Sequence, residues 1–124
     1  MREGKHVILC VDDDQDVLDA LRPVLEQAGY EMVEASCAED GLRKYKEAEP
    51  DLVIVDLMME EIDAGTSLVT DLAAAGNTSP VYMLSSVGDR LSSSTDYNAL
   101  GLSGVFQKPV DTPRLLSVLK TVLK

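Results

Sequence analysis

The sequence predicts an α/β domain built on a doubly wound, five-stranded parallel sheet, and two observations lead to it. Five short apolar runs alternate with segments of helical periodicity along the whole chain. Three of these runs are continuously apolar and rich in Val and Ile, which is typical of parallel strands covered on both faces. Right-handed crossovers through the intervening helices would keep successive strands parallel. The predicted order of elements is therefore βαβαβαβαβα.

The predicted strands are the apolar runs themselves. They cover residues 6–11, 31–35, 52–55, 81–84 and 104–107. In the second run, apolar and charged residues alternate, which favours an edge strand with one face exposed to water. The continuous apolar character of the first, third and fourth runs predicts parallel strands whose two faces are both covered.

Helical periodicity fills the gaps between the strands, most clearly in the first and fifth helices. The first helix ends at Gly29 and contains Pro23, whose missing N–H predicts a kink. The fifth begins with Thr112 as its cap and Pro113 at its first helical position. The fourth, over residues 89–100, is weak because its serine-rich sequence offers several competing caps.

Length and charge limit the classes of function. With 124 residues the chain is long enough for one domain with one core, so we expect a single domain over residues 1–124. The net charge of −11 repels phosphates and argues against direct nucleic-acid binding. Residues 101–124 carry a net charge of +3, which indicates either a docking place for an acidic partner or basic residues that favour a helix C-terminus.

The chain also lacks the signals of an exported or membrane protein. No apolar run approaches the roughly 20 residues that a transmembrane helix needs, and the first residues do not form a signal peptide. We therefore expect a cytoplasmic protein without membrane contact. Cys10 and Cys37 lie far apart in strand-like segments, which favours free thiols over a disulfide or a metal-binding pair.

Polar residues follow four of the predicted strands at their carboxyl ends. They are Asp12, Asp13 and Asp14 after the first strand, Asp56 after the third, Ser85 and Ser86 after the fourth, and Lys108 and Pro109 after the fifth. In doubly wound sheets, ligands bind beyond the carboxyl ends of the strands, where the strand order reverses. We therefore expect these residues to form one site.

The carboxylates of Asp12, Asp13 and Asp56 would lie within several ångströms of one another if the first and third strands are neighbours. Two unit charges about 4 Å apart repel by roughly 4 kcal/mol at an effective dielectric near 20. A proton, a nearby lysine or a divalent cation could offset this repulsion. Two carboxylates, a backbone carbonyl and several waters suit Mg²⁺, so the sequence predicts a magnesium site.

A carboxylate next to Mg²⁺ can attack a phosphoryl group and form an acyl phosphate. The metal and Lys108 would neutralise charge on the transferred group. The hydroxyl of Ser85 would donate a hydrogen bond to one of its oxygens. The residue types at the strand ends therefore suit phosphoryl transfer to an aspartate.

This arrangement resembles the receiver domain of bacterial response regulators, and the resemblance extends over the whole chain. It rests on an acidic pair after the first strand, Asp after the third, Ser after the fourth and Lys-Pro after the fifth. It implies a flavodoxin-like (βα)5 receiver fold over residues 1–124. It also implies that the chain is a phosphorylation-controlled switch rather than an enzyme acting on free substrates.

The same resemblance implies a role for each residue of the site. Asp56 is the phosphoacceptor, and Lys108 pairs with the phosphoryl group. The Mg²⁺ ligands are Asp12, Asp13, Asp56 and the backbone carbonyl of Met58. Ser85 is the hydroxyl that moves on activation, supported by Ser86, and Pro109 follows a cis peptide bond.

Three positions depart from the receiver pattern. The family usually has proline after the Met that corresponds to Met59, and here Glu60 follows, which could alter the loop and the dephosphorylation rate. Val105 stands where the family often has the aromatic residue that moves on activation, and Phe106 should face the opposite side. The serine-rich stretch 86–104 is expected to be the moving part.

The resemblance implies partners as well as a mechanism. A histidine kinase or phosphotransfer protein would donate the phosphoryl group. The output would be a separate protein that binds the face formed by the predicted fourth helix, fifth strand and fifth helix. The first residue and the compact last helix favour a stand-alone protein, with a domain cut from a longer chain as the alternative.

Three other functions fit parts of the pattern. A phosphohydrolase with an Asp nucleophile usually has a second acid two residues later, where this chain has Met58. A flavin or nucleotide binder needs a phosphate-binding loop after the first strand, where three aspartates stand here. A pseudo-receiver that is never phosphorylated would not need the complete set of site residues.

Overall fold

The computed structural model of the protein describes residues 4–56, 70–85, 104–107 and 110–123. The strands are β1 Val7–Val11, β2 Glu31–Ala35, β3 Leu52–Asp56, β4 Val81–Ser85 and β5 Gly104–Gln107. The helices are α1 Gln15–Gln27, α2 Ala38–Ala48 and α3 Thr112–Val122, and residues 70–74 are also helical. Helix α3 is the fifth helix of the sequence prediction. The predicted fourth helix, residues 89–100, lies outside the described residues.

The five strands form one parallel sheet in the order β2-β1-β3-β4-β5. This confirms the predicted sheet and places β2 at an edge. From β1 the chain first builds outward to β2 and then crosses back to β3 on the other side of β1. The strand order therefore reverses between β1 and β3, where ligands bind in open α/β sheets.

Helices cover both faces of the sheet, because side chains alternate between the faces along each strand. On one face, α1 and α3 pack against Ile8, Ile54 and Leu84. On the other, α2 and the helical residues 70–74 pack against Val55 and Met83. The doubly wound architecture is thus confirmed. None of the described helices combines the length and apolar character needed to cross a bilayer.

The start of α3 corrects the predicted cap by one residue. Asp111 is the N-cap, and its side chain accepts a hydrogen bond from Arg114 N at 3.3 Å. Thr112, predicted as the cap, is instead the first helical residue. An aspartate caps a helix at least as well as threonine, and Pro113 is tolerated in the first turn of either arrangement.

Both cysteines are free, as the sequence predicted, but only Cys10 lies in a strand. Burial in the core raises the pKa of the Cys10 thiol to about 12, so it remains protonated and unreactive at neutral pH. Cys37 is the N-cap of α2, where its Sγ accepts a hydrogen bond from Asp40 N at 3.4 Å. The prediction that Cys37 lies in a strand-like segment is therefore wrong, because Cys37 caps the start of helix α2.

Asp51 ties the amino-terminal ends of β1 and β3 together. Its Oδ2 accepts a hydrogen bond from Val7 N at 2.8 Å, and His6 Nδ1 lies 3.6 Å from the same oxygen. Partial burial opposes ionisation of Asp51, but the hydrogen bond that it accepts from Val7 N favours the carboxylate, and the pKa of Asp51 is lowered overall. The ionised carboxylate therefore stabilises the fold at neutral pH.

Replacing Asp51 by alanine is expected to lower the free energy of unfolding by about 1–2 kcal/mol at pH 7, because Val7 N loses a charged acceptor. The stabilisation is complete above the ordinary aspartate pKa of about 4 and is lost as the pH falls through the lowered pKa of the folded state. Urea unfolding of both proteins between pH 2 and pH 7 measures this. Asp51→Asn keeps an acceptor oxygen, so it should lower the free energy of unfolding less than Asp51→Ala does. Equal urea midpoints for wild type and Asp51→Ala at pH 7 would contradict the assignment.

Candidate functional site

The register of β1 against β3 brings Asp12 beside Asp56. The paired positions run in step to Val11 opposite Val55. One further step along both strands places Asp12 next to Asp56 at the carboxyl edge of the sheet, and neighbouring strands are about 4.8 Å apart. Both carboxylates therefore lie at the point where the strand order reverses.

Hydrogen bonds hold the loop between β1 and α1. Asp12 N donates to Ala35 O at 3.0 Å, and Asp12 Oδ1 accepts from Asp14 N at 2.9 Å. Asp14 in turn caps α1, because its Oδ1 accepts from Asp16 N at 3.0 Å. This chain of contacts orients Asp12 and leaves Asp13 exposed at the turn.

Asp12, Asp13 and Asp56 form one cluster, in which each residue offers a carboxylate oxygen within 4.8 Å of the other two. Asp12 and Asp56 are almost completely buried, with 1% and 3% of their surface exposed. Asp13 is exposed and closes the cluster from the solvent side. The structure thus brings together the three carboxylates that the sequence singled out.

The cluster fits a hard divalent cation. Mg²⁺ binds oxygen at about 2.0–2.1 Å and keeps several waters, so two oxygens on opposite sides of one ion are about 4.2 Å apart. Carboxylate oxygens within 4.8 Å are close to that spacing. Unit charges at this distance repel by roughly 3.5 kcal/mol at an effective dielectric near 20. A divalent cation between the carboxylates would replace this repulsion by attraction to the metal.

The remaining predicted site residues follow β3, β4 and β5. Asp56 pairs with Leu84, so Ser85 is the next residue along β4, at the same edge of the sheet. Ser85 pairs in turn with Gln107, the last residue of β5, and Lys108 comes next in the chain. The backbone register therefore places Asp56 and Ser85 at this edge of the sheet, and Met58, Ser86, Lys108 and Pro109 lie outside the described residues.

Phe106 belongs to the core on the α1 and α3 face. Its ring stacks on Tyr82 with centroids 5.2 Å apart, and the Arg114 guanidinium lies 5.8 Å from its centroid. Val105 pairs in register with Met83. Phe106 is therefore occupied by packing and does not replace the aromatic residue missing at position 105.

Gly104 is a supporting residue that the sequence analysis did not single out. A Cβ at this position would lie 2.8 Å from Cε2 of Tyr82, its register partner on β4. The glycine lets the Tyr82 ring lie over β5. A glycine at the start of a strand was visible in the sequence, but its partner is known only once the strands are paired.

Comparison with known proteins agrees with this geometry. The profile of the response regulator receiver domain family matches residues 8–120. Transcriptional regulatory protein PrrA of Mycobacterium tuberculosis is 35% identical over 120 residues, which are 94% of this chain and 49% of that protein. The PhoP regulator of alkaline phosphatase synthesis in Bacillus subtilis is 27% identical over 94% of this chain. The chain spans about half the length of these curated relatives.

Solved structures give the same result. A receiver domain protein from Methanospirillum hungatei superimposes with a TM-score of 0.84 at 28% identity, covering 95% of this chain and 93% of that one. Chemotaxis protein CheY4 of Vibrio cholerae superimposes with a TM-score of 0.84 at 26% identity, covering 97% and 100%. With the family profile matching most of its length, this chain belongs to the response regulator receiver domain family of two-component signalling.

Proposed function

We propose that this chain is a signalling switch that accepts a phosphoryl group on Asp56 in the presence of Mg²⁺. Receiver domains generally serve signalling rather than enzymatic turnover. The observation that carries the proposal is the cluster of Asp12, Asp13 and Asp56 at the reversal of strand order. A phosphohydrolase with an Asp nucleophile would use a second acid where this chain has Met58, and a pseudo-receiver would not need the complete set of site residues.

In the proposed reaction a carboxylate oxygen of Asp56 attacks the phosphorus atom of a phosphohistidine on a histidine kinase or phosphotransfer protein. A P–O bond forms while the P–N bond breaks, and the imidazole keeps the electron pair and takes up a proton. Asp12 and Asp13, with the Met58 carbonyl, would hold Mg²⁺, which supplies positive charge next to the transferred group. Lys108 and Ser85 would bind the phosphoryl oxygens.

For the output we propose binding of a separate protein at the face that contains β5 and α3. Phosphorylation would shift the population of two states of this face, with Ser85 and Ser86 responding to the phosphoryl group. Transcriptional control is a second candidate output, because the relatives are named transcriptional regulatory proteins and this chain matches about half of their length. With a net charge of −11, these residues themselves are not expected to bind DNA.

Intact mass after incubation with acetyl phosphate tests the phosphoacceptor and the metal together. Wild type with Mg²⁺ should gain one phosphate, and Asp56→Asn, or wild type in EDTA, should gain none. Asp71→Asn is the matched control, since it makes the same chemical change at an exposed helical position. Phosphate on Asp56→Asn would contradict the assignment of the acceptor.

Beryllofluoride, a phosphoryl mimic, separates a short-lived acyl phosphate from a pseudo-receiver. If wild type gains no phosphate but binds beryllofluoride with Mg²⁺, the site is competent and hydrolysis is fast. If wild type neither gains a phosphate nor binds beryllofluoride, the proposal is refuted and a pseudo-receiver is favoured. Calorimetric titration of wild type and Asp56→Asn measures this binding directly.

A further inference from the structure

Strand β2 is an edge strand of the sheet, and no other strand of the described residues pairs with its outer side. On its inner side it pairs with β1, where Glu31 N donates to His6 O at 2.9 Å. In a parallel ladder alternate residues bond to the same neighbour, so the peptide groups of Met32 and Glu34 point away from the sheet. Such an edge is a template on which another strand can add, because its outward N–H and C=O groups can accept a new partner strand.

Two cationic side chains occupy the outward carbonyls of β2. Arg22 of α1 donates from Nη1 to Met32 O at 3.4 Å. Lys44 of α2 donates from Nζ to Glu34 O at 2.5 Å. Because α1 and α2 pack on opposite faces of the sheet, the two side chains reach the edge from opposite sides.

Acidic residues hold both cations in these positions. Arg22 lies 3.2 Å from Glu34 Oε2 through Nη2 and 3.5 Å from Glu26 Oε2 through Nη1. Lys44 Nζ lies 3.3 Å from Asp40 Oδ2, one turn earlier on α2. Partly exposed ion pairs at the protein surface add little to stability, so their main consequence is to keep the two cations over the edge.

We propose that Arg22 and Lys44 protect the β2 edge from strand addition by a second copy of this chain. Two β2 strands related by a twofold axis could exchange N–H···O bonds through Met32 and Glu34 and join two sheets into one. With both carbonyls occupied, this exchange loses its acceptors. The four cations of the two copies would also be brought together at the junction.

The test is the oligomeric state of the full chain with Arg22→Met and Lys44→Met combined. Methionine keeps an unbranched apolar side chain and removes the charge. Sedimentation equilibrium in about 0.3 M NaCl, which screens the overall negative charge, should show a dimer. Its dissociation constant should be at least about tenfold lower than that of wild type, because each freed carbonyl gains a hydrogen bond in both halves of the dimer.

The matched control combines Arg43→Met and Lys46→Met, two exposed positions of α2 that make the same change in charge and apolar surface. It should associate no more than wild type. Equal association of the two double variants would overturn the proposal, and so would a folded edge variant that stays monomeric. Circular dichroism reports folding. If the edge variant does not fold, Lys44→Met alone frees Glu34 O and is judged by the same criteria.

Hydrogen exchange then locates the contact. The outward amides of Met32 and Glu34 should exchange more slowly in the dimer than in the monomer, since they become donors to the second strand. A dimer of the edge variant that leaves these two amides unprotected would form elsewhere, and it would also refute the proposal.

Discussion

In metal-free buffer, Asp56→Asn is expected to raise the free energy of unfolding by about 1–3 kcal/mol over wild type. Asp56 is 3% exposed and lies within 4.8 Å of two further carboxylates. Unit charges 4.8 Å apart repel by roughly 3.5 kcal/mol at an effective dielectric near 20, and other groups of the protein offset part of this repulsion. The amide keeps the shape of the side chain and removes its charge.

Urea unfolding in EDTA at pH 7 measures this difference, because the unfolding free energy falls linearly with denaturant. Asp71→Asn serves as the control for the loss of one negative charge from an acidic protein, and it should change stability by no more than about 0.5 kcal/mol. If Asp56→Asn lowers the free energy of unfolding, the surroundings of the Asp56 carboxylate stabilise it more than repulsion from Asp12 and Asp13 destabilises it.

Added Mg²⁺ should then make wild type more stable than Asp56→Asn, the reverse of their order in metal-free buffer. A ligand at 100 times its dissociation constant stabilises the folded state by about 2.7 kcal/mol when it binds only that state. Wild type should therefore gain stability with Mg²⁺ concentration, whereas Asp56→Asn should gain much less. Equal gains in both proteins would place the metal elsewhere.

Leu119→Ala is expected to lower the free energy of unfolding by about 2–5 kcal/mol. Leu119 is fully buried on α3, in the same cluster as Phe106 of β5 and Leu25 of α1. Shortening it removes apolar contacts and leaves a cavity between the helix and the sheet. Since total stabilities are about 5–15 kcal/mol, this loss would be a large share of the whole.

The control for this change lies one turn later on the same helix. Val122 is 37% exposed, so Val122→Ala should cost no more than about 0.5 kcal/mol. Urea unfolding of the three proteins compares them under one condition. If Leu119→Ala and Val122→Ala cost the same, α3 does not pack through the face that its apolar pattern indicates.

The inner strands were predictable from sequence almost to the residue. The third run, residues 52–55, became β3 Leu52–Asp56, and the first, residues 6–11, became β1 Val7–Val11. Continuous apolar runs define such strands well, because water is excluded from both faces. Helix caps were less predictable. Asp111 rather than Thr112 caps α3, since neighbouring polar side chains compete for the same backbone N–H groups.

The order of the described elements, the edge position of β2 and the polar residues that follow the strands could be predicted from the sequence alone, because apolar periodicity and residue chemistry are local properties of the chain. Only the tertiary structure decided that Asp12 lies beside Asp56, and that Arg22 and Lys44 cover the carbonyls of β2. It also placed the Tyr82 ring 2.8 Å from the point where a Cβ at position 104 would lie. These contacts join residues 10 to 44 positions apart. They depend on strand register and on helix placement against the sheet, which packing of the whole core settles.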